Sequence, residues 1–115
     1  MTLTAEQEID ERNAIRDDRV LAAAWSIVEA RGVSGLTRDA IADEADLSPA
    51  SVSNFGRTRI SNGKHAREGY RSRILRAMME RAIEKGDVRM IRVGLVDGCL
   101  RAADVPTPLR AAAGV

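Results

Sequence analysis

Cysteine, histidine and aromatic residues are scarce in this chain, and each scarcity excludes something. Cys99 is the single cysteine of 115 residues, so no disulfide framework and no thiolate metal pair can form within it. His65 is the one histidine and lies far from Cys99 in sequence, which leaves neither a metal-ligand set nor a nucleophile with its base. No metal and no cofactor is expected. Asp17-Asp18 and Asp43-Glu44 read as helix caps and helix surface rather than as paired catalytic carboxylates, and glycine-rich phosphate loops do not occur. The expectation is therefore a protein that is not an enzyme. No apolar run approaches the ~20 residues of a membrane span. The opening residues, MTLTAEQEIDERN, are acidic and lack the basic-then-apolar layout of a signal peptide, so the chain reads as cytoplasmic. Trp25, Phe55 and Tyr70 are the whole aromatic complement, and Trp25 reads as a core or half-buried residue.

What remains is aliphatic and charged. Hydrophobic residues make up 44% of the chain and charged residues 30%, a mix that favours helices packed on helices. The most informative stretch is TRDAIADEADLSPASVSNF, residues 37–55. Thr37 is a good N-cap for a short helix over 38–45, and Asp46 suits a left-handed turn better than most residues. Ser48-Pro49 then opens a second helix with a capping hydroxyl and a first-turn proline. Ile41, Ala42, Ala45, Leu47, Val52 and Phe55 face one core; a side chain larger than Ala42 between crossing helices would cost roughly 1–3 kcal/mol. Ser48, Pro49, Ala50, Ser51, Ser53 and Asn54 are left outward, small or hydrogen-bonding. This is the pattern of a helix-turn-helix, whose second helix enters the major groove of DNA.

Charge is unevenly spread although the net value is +1. Residues 1–46 hold five arginines against eleven carboxylates, and residues 47–79 hold seven basic groups against Glu68 alone. The basic block begins at the second helix, as a phosphate footprint should.

The rest of the chain divides around that unit. Residues 1–16 form a polar extension in which Thr4 and Gln7 suggest a capping box and a helix from Ala5. A helix capped by Asp17 or Asp18 buries Val20, Leu21, Ala24, Ile27 and Val28 and ends at Gly32 as a left-handed C-cap. Residues 17–56 are then the DNA-binding unit and 57–63 a basic connection. That connection is either a plain link or a small wing carrying Arg57 and Arg59. A long helix is predicted over 64–85, with Tyr70, Ile74, Leu75, Met78, Met79, Ala82 and Ile83 on one face and Arg67, Arg71, Arg73 and Arg76 on the other. A last helix, from Asp87 to about Ala103, is apolar around most of its girth. A homodimer interface is therefore expected across 64–104, through Met79, Ile83, Val88, Ile91, Leu95, Val96, Cys99 and Leu100. Gly94 and Gly98 would let two backbones approach. Pro106 and Pro108 are expected to end the order, leaving 105–115 as a flexible tail.

Residues 20–55, VLAAAWSIVEARGVSGLTRDAIADEADLSPASVSNF, resemble the DNA-binding domain of TetR-type transcriptional repressors. The likeness covers a first helix ending in Gly, the short loop to Thr37, Ile-Ala in the second helix and the Ser opening the third. The recognition helix departs from it. TetR-type sequences usually carry an aromatic where Ser53 stands and their Phe one residue after Phe55, while Ser51-Val52-Ser53-Asn54 is closer to LacI-type repressors. The resemblance implies an all-α fold: a helix-turn-helix three-helix bundle, then a long helix and a C-terminal dimerisation helix. It also implies a homodimeric repressor on double-stranded DNA, with Lys64 on a phosphate early in the following helix. Only about thirty residues follow Gly86, too few for a TetR-type inducer domain, so no small-molecule inducer is expected.

The expected DNA contacts are Ser51, Ser53 and Asn54 on bases, within a helix from Ser48 through Pro49 and Ala50 that lies in the groove, and Thr37, Arg38, Arg57, Arg59 and Lys64 on phosphates. The rival expectation is a protein-interaction module, an anti-repressor or adaptor with a relict helix-turn-helix that binds a regulatory protein. A nonspecific architectural DNA binder is a third, disfavoured by net charge near zero.

Overall fold

The computed structural model describes residues 4–56 and 69–114, and every regular element among them is helical. The first helix, α1, runs unbroken over Ala5–Arg31. Thr4 and Gln7 form the expected capping box at its start, with the Gln7 amide donating to Thr4 Oγ1 (3.2 Å) and the Thr4 amide to Gln7 Oε1 (2.9 Å). Only the second half of α1 is buried, through Val20, Leu21, Ala23, Ala24, Ile27 and Val28. The first half is solvent-facing and leaves Ile9 and Ile15 exposed. No helix begins at Asp17 or Asp18, because α1 passes straight through them. Asp18 instead pairs with Arg81 at 3.3 Å. Gly32 closes α1 at φ 78° but with an extended ψ of 177°, so it is not the left-handed cap that the sequence suggested. Half-buried Trp25 lies under the Lys85 ammonium, 5.8 Å from the ring centre.

Helix α2 spans Arg38–Ala45 and α3 spans Pro49–Ser53. Their caps are the ones expected: Thr37 Oγ1 accepts from the Ala40 amide and Ser48 Oγ from the Ser51 amide, each at 3.2 Å. Asp46 stands at φ 55°, ψ 51° between them. Its amide and that of Leu47 return to the carbonyls of Asp43 (3.3 Å) and Ala42 (2.9 Å), the paired closure that satisfies the last turn of a helix. Ile41, Ala42, Ala45, Val52 and Phe55 are buried, and Leu47 is half-buried against them.

Helix α4 covers Tyr70–Lys85. It does not run continuously from residue 64, because Gly69 is extended at φ −67°, ψ 160° and stands at its N-terminus. Residues 64–68, with Arg67, and the Asn62-Gly63 turn signal lie outside the described residues. Ile74, Met78 and Ala82 are fully buried and join the same core as α1. Gly86, left-handed at φ 68°, ends α4, and Asp87 caps α5 with its carboxylate on the Met90 amide (3.1 Å).

The C-terminal region departs most from expectation. Helix α5 is only Val88–Val96. After it the chain reverses at Gly98 (φ 76°), and the amides of Cys99 and Leu100 both return to the Gly94 carbonyl. A side chain at Gly94 would run into the Met79 sulfur and sit 3.1 Å from Leu100 Cβ, so this glycine admits the chain's own residues, not a second backbone. A sixth helix, α6, follows over Thr107–Ala112. Pro106 and Pro108 start it instead of ending order, since amides in a first helical turn have no intrahelical acceptor to lose. Val105 and Ala113 are buried, and Arg92 Nε donates to the Ala113 carbonyl at 2.7 Å. The supposed tail is part of the core.

Candidate nucleic-acid interface

The side chains of α3 sort into two faces. Val52 and, just beyond the helix, Phe55 anchor the inner one. Ser48, Pro49, Ala50 and Asn54 are exposed, and Ser51 and Ser53 are half-buried at the margin. The Ser51 hydroxyl lies 3.0 Å from Ser48 Oγ, the group that caps the helix. Asn54 is the outermost long polar group and occupies the C-cap of α3. Thr37 and Arg38 are exposed at the start of α2, with the Thr37 hydroxyl already committed to capping. Arg57, Arg59 and Lys64 lie outside the described residues.

One flank of this face is acidic. Asp39, Asp43 and Asp46, with Ala42, Leu47 and Pro49, line a shallow depression between α2 and the start of α3. A phosphate would be repelled there. Asp39, Asp43 and Asp46 stand at i, i+4 and i+7, so α2 and its cap gather them on one face, and the crossing with α3 only sets that face beside Pro49.

The basic block is also redistributed. Arg71 donates to the carbonyls of Leu36 (3.3 Å) and Val33 (3.1 Å), holding the loop between α1 and α2. Arg73, read from sequence as a solvent-facing residue, is 6% exposed. Its Nε donates to the Phe55 carbonyl at 2.6 Å and its Nη2 to the Ser53 carbonyl at 2.8 Å. Arg76 pairs with Glu80 at 4.0 Å. These arginines serve the fold, and Arg19 of α1 does the same for α2, donating to the carbonyls of Ala45 (2.7 Å) and Asp46 (3.2 Å). Helix ends present carbonyls with no intrahelical partner, and guanidinium groups supply several donors in a fixed fork.

No family model, curated protein or solved structure matches this chain.

The expected dimer residues divide by burial. Met79 and Ile91 are buried within the chain, because α4, α5 and the returning C-terminal segment cover one another. Ile83, Val88, Leu95, Cys99 and Leu100 are half-buried, and Val96 is 72% exposed. Burial, with the Asp97 carboxylate adding to it and Arg71 opposing, pushes the Cys99 thiol up from its ordinary value. Between α4 and the segment 98–104 opens a groove of about 660 Å³, with Leu75, Met79 and Ile83 on one side and Cys99 and Leu100 on the other. That volume falls in the range of small-molecule sites. Among the described residues no cluster of three or more metal-ligating side chains occurs. No helix among them is long and apolar enough to cross a membrane.

Proposed function

We propose that the protein is a sequence-specific DNA-binding regulator, a repressor acting as a homodimer, and that α2 and α3 are its helix-turn-helix. The observation that carries this reading is the pairing of a left-handed Asp46 turn with an α3 whose inner face is anchored and whose outer face is small and polar. The resemblance of residues 20–55 to TetR-type domains adds to it. Asn54 is the main base reader, since its amide can bond an adenine edge in two places. Ser53 and the Ser48–Ser51 hydroxyl pair lie against the groove wall. Arg38, Arg57, Arg59 and Lys64 supply phosphate contacts, and the Asp39–Asp43–Asp46 flank keeps the phosphate backbone off the opposite side. The dimer forms through the apolar surface left around Val96, with Ile83, Val88, Leu95, Cys99 and Leu100, and sets two recognition helices about 34 Å apart, one turn of DNA.

Two substitutions separate the roles. Asn54→Ala relaxes preference at one base pair by about 1–3 kcal/mol and leaves the salt dependence intact. Arg59→Ala weakens binding to all sequences and lowers the salt slope by about one counterion. A mobility-shift titration across salt concentrations reads both, and indifference to both changes would remove the assignment.

The exposed first half of α1, acidic and carrying Ile9 and Ile15 outward, favours the second reading, an adaptor that binds a regulatory protein. Sedimentation separates the two, since the adaptor is a monomer without affinity for duplex at low salt.

A further inference from the structure

We propose that Arg73 and Asp17 are positioning residues for Asn54, setting which base it meets without themselves touching DNA. The proposal rests on the DNA-binding reading above.

Helix α3 is five residues long, too short to hold its own shape in water. Asn54 follows it immediately and is exposed, so nothing in α3 alone fixes the direction of its side chain. Its neighbours are fixed from outside. On one side Arg73 of α4 grips the carbonyls of Ser53 and Phe55, the residues directly before and after Asn54. On the other side Asp17 of α1 accepts from the Gly56 amide, at 3.3 Å to Oδ2 and 3.4 Å to Oδ1. Gly56 is left-handed at φ 72°, and a Cβ placed on it would rest 3.4 Å from Arg73 Cδ, so the arginine stem also backs the turn. Asp17 is held in turn by Arg16, whose Nε donates to Oδ1 at 3.0 Å. Residues 53–56 are thus clamped between α1 and α4. The two arginine bonds use two nitrogens of one rigid plane, which a lysine cannot reproduce.

The test uses the full chain and the variants R73K and D17A. R73K keeps the charge but loses the fork, and D17A removes the acceptor for Gly56 without touching α4. Amide hydrogen exchange reports the clamp, and binding to a duplex set varied at each operator position reports its use. In both variants the amides of Ser51, Val52, Asn54, Phe55 and Gly56 should exchange about tenfold faster, while those in the buried halves of α1 and α4 keep their rates. Discrimination at the single position read by Asn54 should fall about tenfold, with the salt slope unchanged. Retained discrimination in both variants, or exchange that quickens equally throughout the chain, overturns the proposal and leaves the DNA reading standing. A wild-type chain without base preference at low salt overturns both.

Discussion

Deleting residues 105–115 should lower the free energy of unfolding by about 3–5 kcal/mol, measured by urea denaturation followed through helical circular dichroism. The deletion uncovers the core rather than trimming a loose end. Val105 and Ala113 are buried, and Leu109 is half-buried, its Cδ2 3.7 Å from a Cβ placed on Gly86 at the α4–α5 turn. Burying a residue of valine size contributes about 1.5–3 kcal/mol, and Leu109 adds part of a similar amount. The bond from Arg92 to the Ala113 carbonyl is lost as well, and a charged donor of that kind is worth about 1.5–3 kcal/mol before solvent replaces it. A truly frayed tail would give a change within about 0.5 kcal/mol, which is the result that would restore the simpler expectation. The truncated chain should also uncover the surface of α5 on which α6 packs, and so bind a hydrophobic dye.

Replacing Arg73 by methionine should cost about 3 kcal/mol and abolish DNA binding at concentrations where the wild type is saturated. Methionine replaces the apolar stem of the arginine out to about the position of Nε, so the loss falls on the guanidinium. The carbonyls of Ser53 and Phe55 would lose their donors, 2.8 and 2.6 Å away in the intact protein. The bond to the Phe55 carbonyl is buried, so a water can replace it only if the end of α3 lifts, which would draw Val52 and Phe55 from the core. Thermal denaturation measures the stability, and a shift assay below the melting range measures binding. A variant that melts like the wild type would show that Arg73 is a bystander.

These two sites mark where the sequence was readable and where it was not. The cap at Thr37, the left-handed position at Asp46, the Ser48-Pro49 opening and the stop at Gly86 are local events, decided by residues within a few positions of one another. Spacing reveals such features directly. Arg73 is different. Its place among Arg71, Arg76 and the apolar residues of α4 reads as a solvent face, because nothing nearby in sequence states that another helix ends above it. Eighteen positions separate Arg73 from Phe55, and only packing makes them partners. The C-terminal misreading has the same origin. The apolar girth of α5 was visible, but its coverage by α6 was not, since a proline pair marks a helix start as readily as an end. The acidic face of α2 was legible from the i, i+4, i+7 spacing of Asp39, Asp43 and Asp46, and only its placement beside Pro49 of α3 comes from the crossing.

For the reading face, residue types were legible but their engagement was not. Ser51 was expected to read bases, yet its hydroxyl contacts the capping Ser48. Asn54 stands exposed between two neighbours held by Arg73, and on the proposed DNA-binding reading specificity rests on it.

Selection of duplexes by the full chain from a random pool, at low and then at moderate salt, tests the central claim most directly. A homodimer that reads bases through Asn54 enriches an inverted repeat whose half-sites lie about 10 base pairs apart, or a multiple of that spacing, with an adenine whose enrichment disappears in Asn54→Ala. A pool that emerges unenriched at both salt concentrations, or an enriched motif indifferent to Asn54, would contradict it.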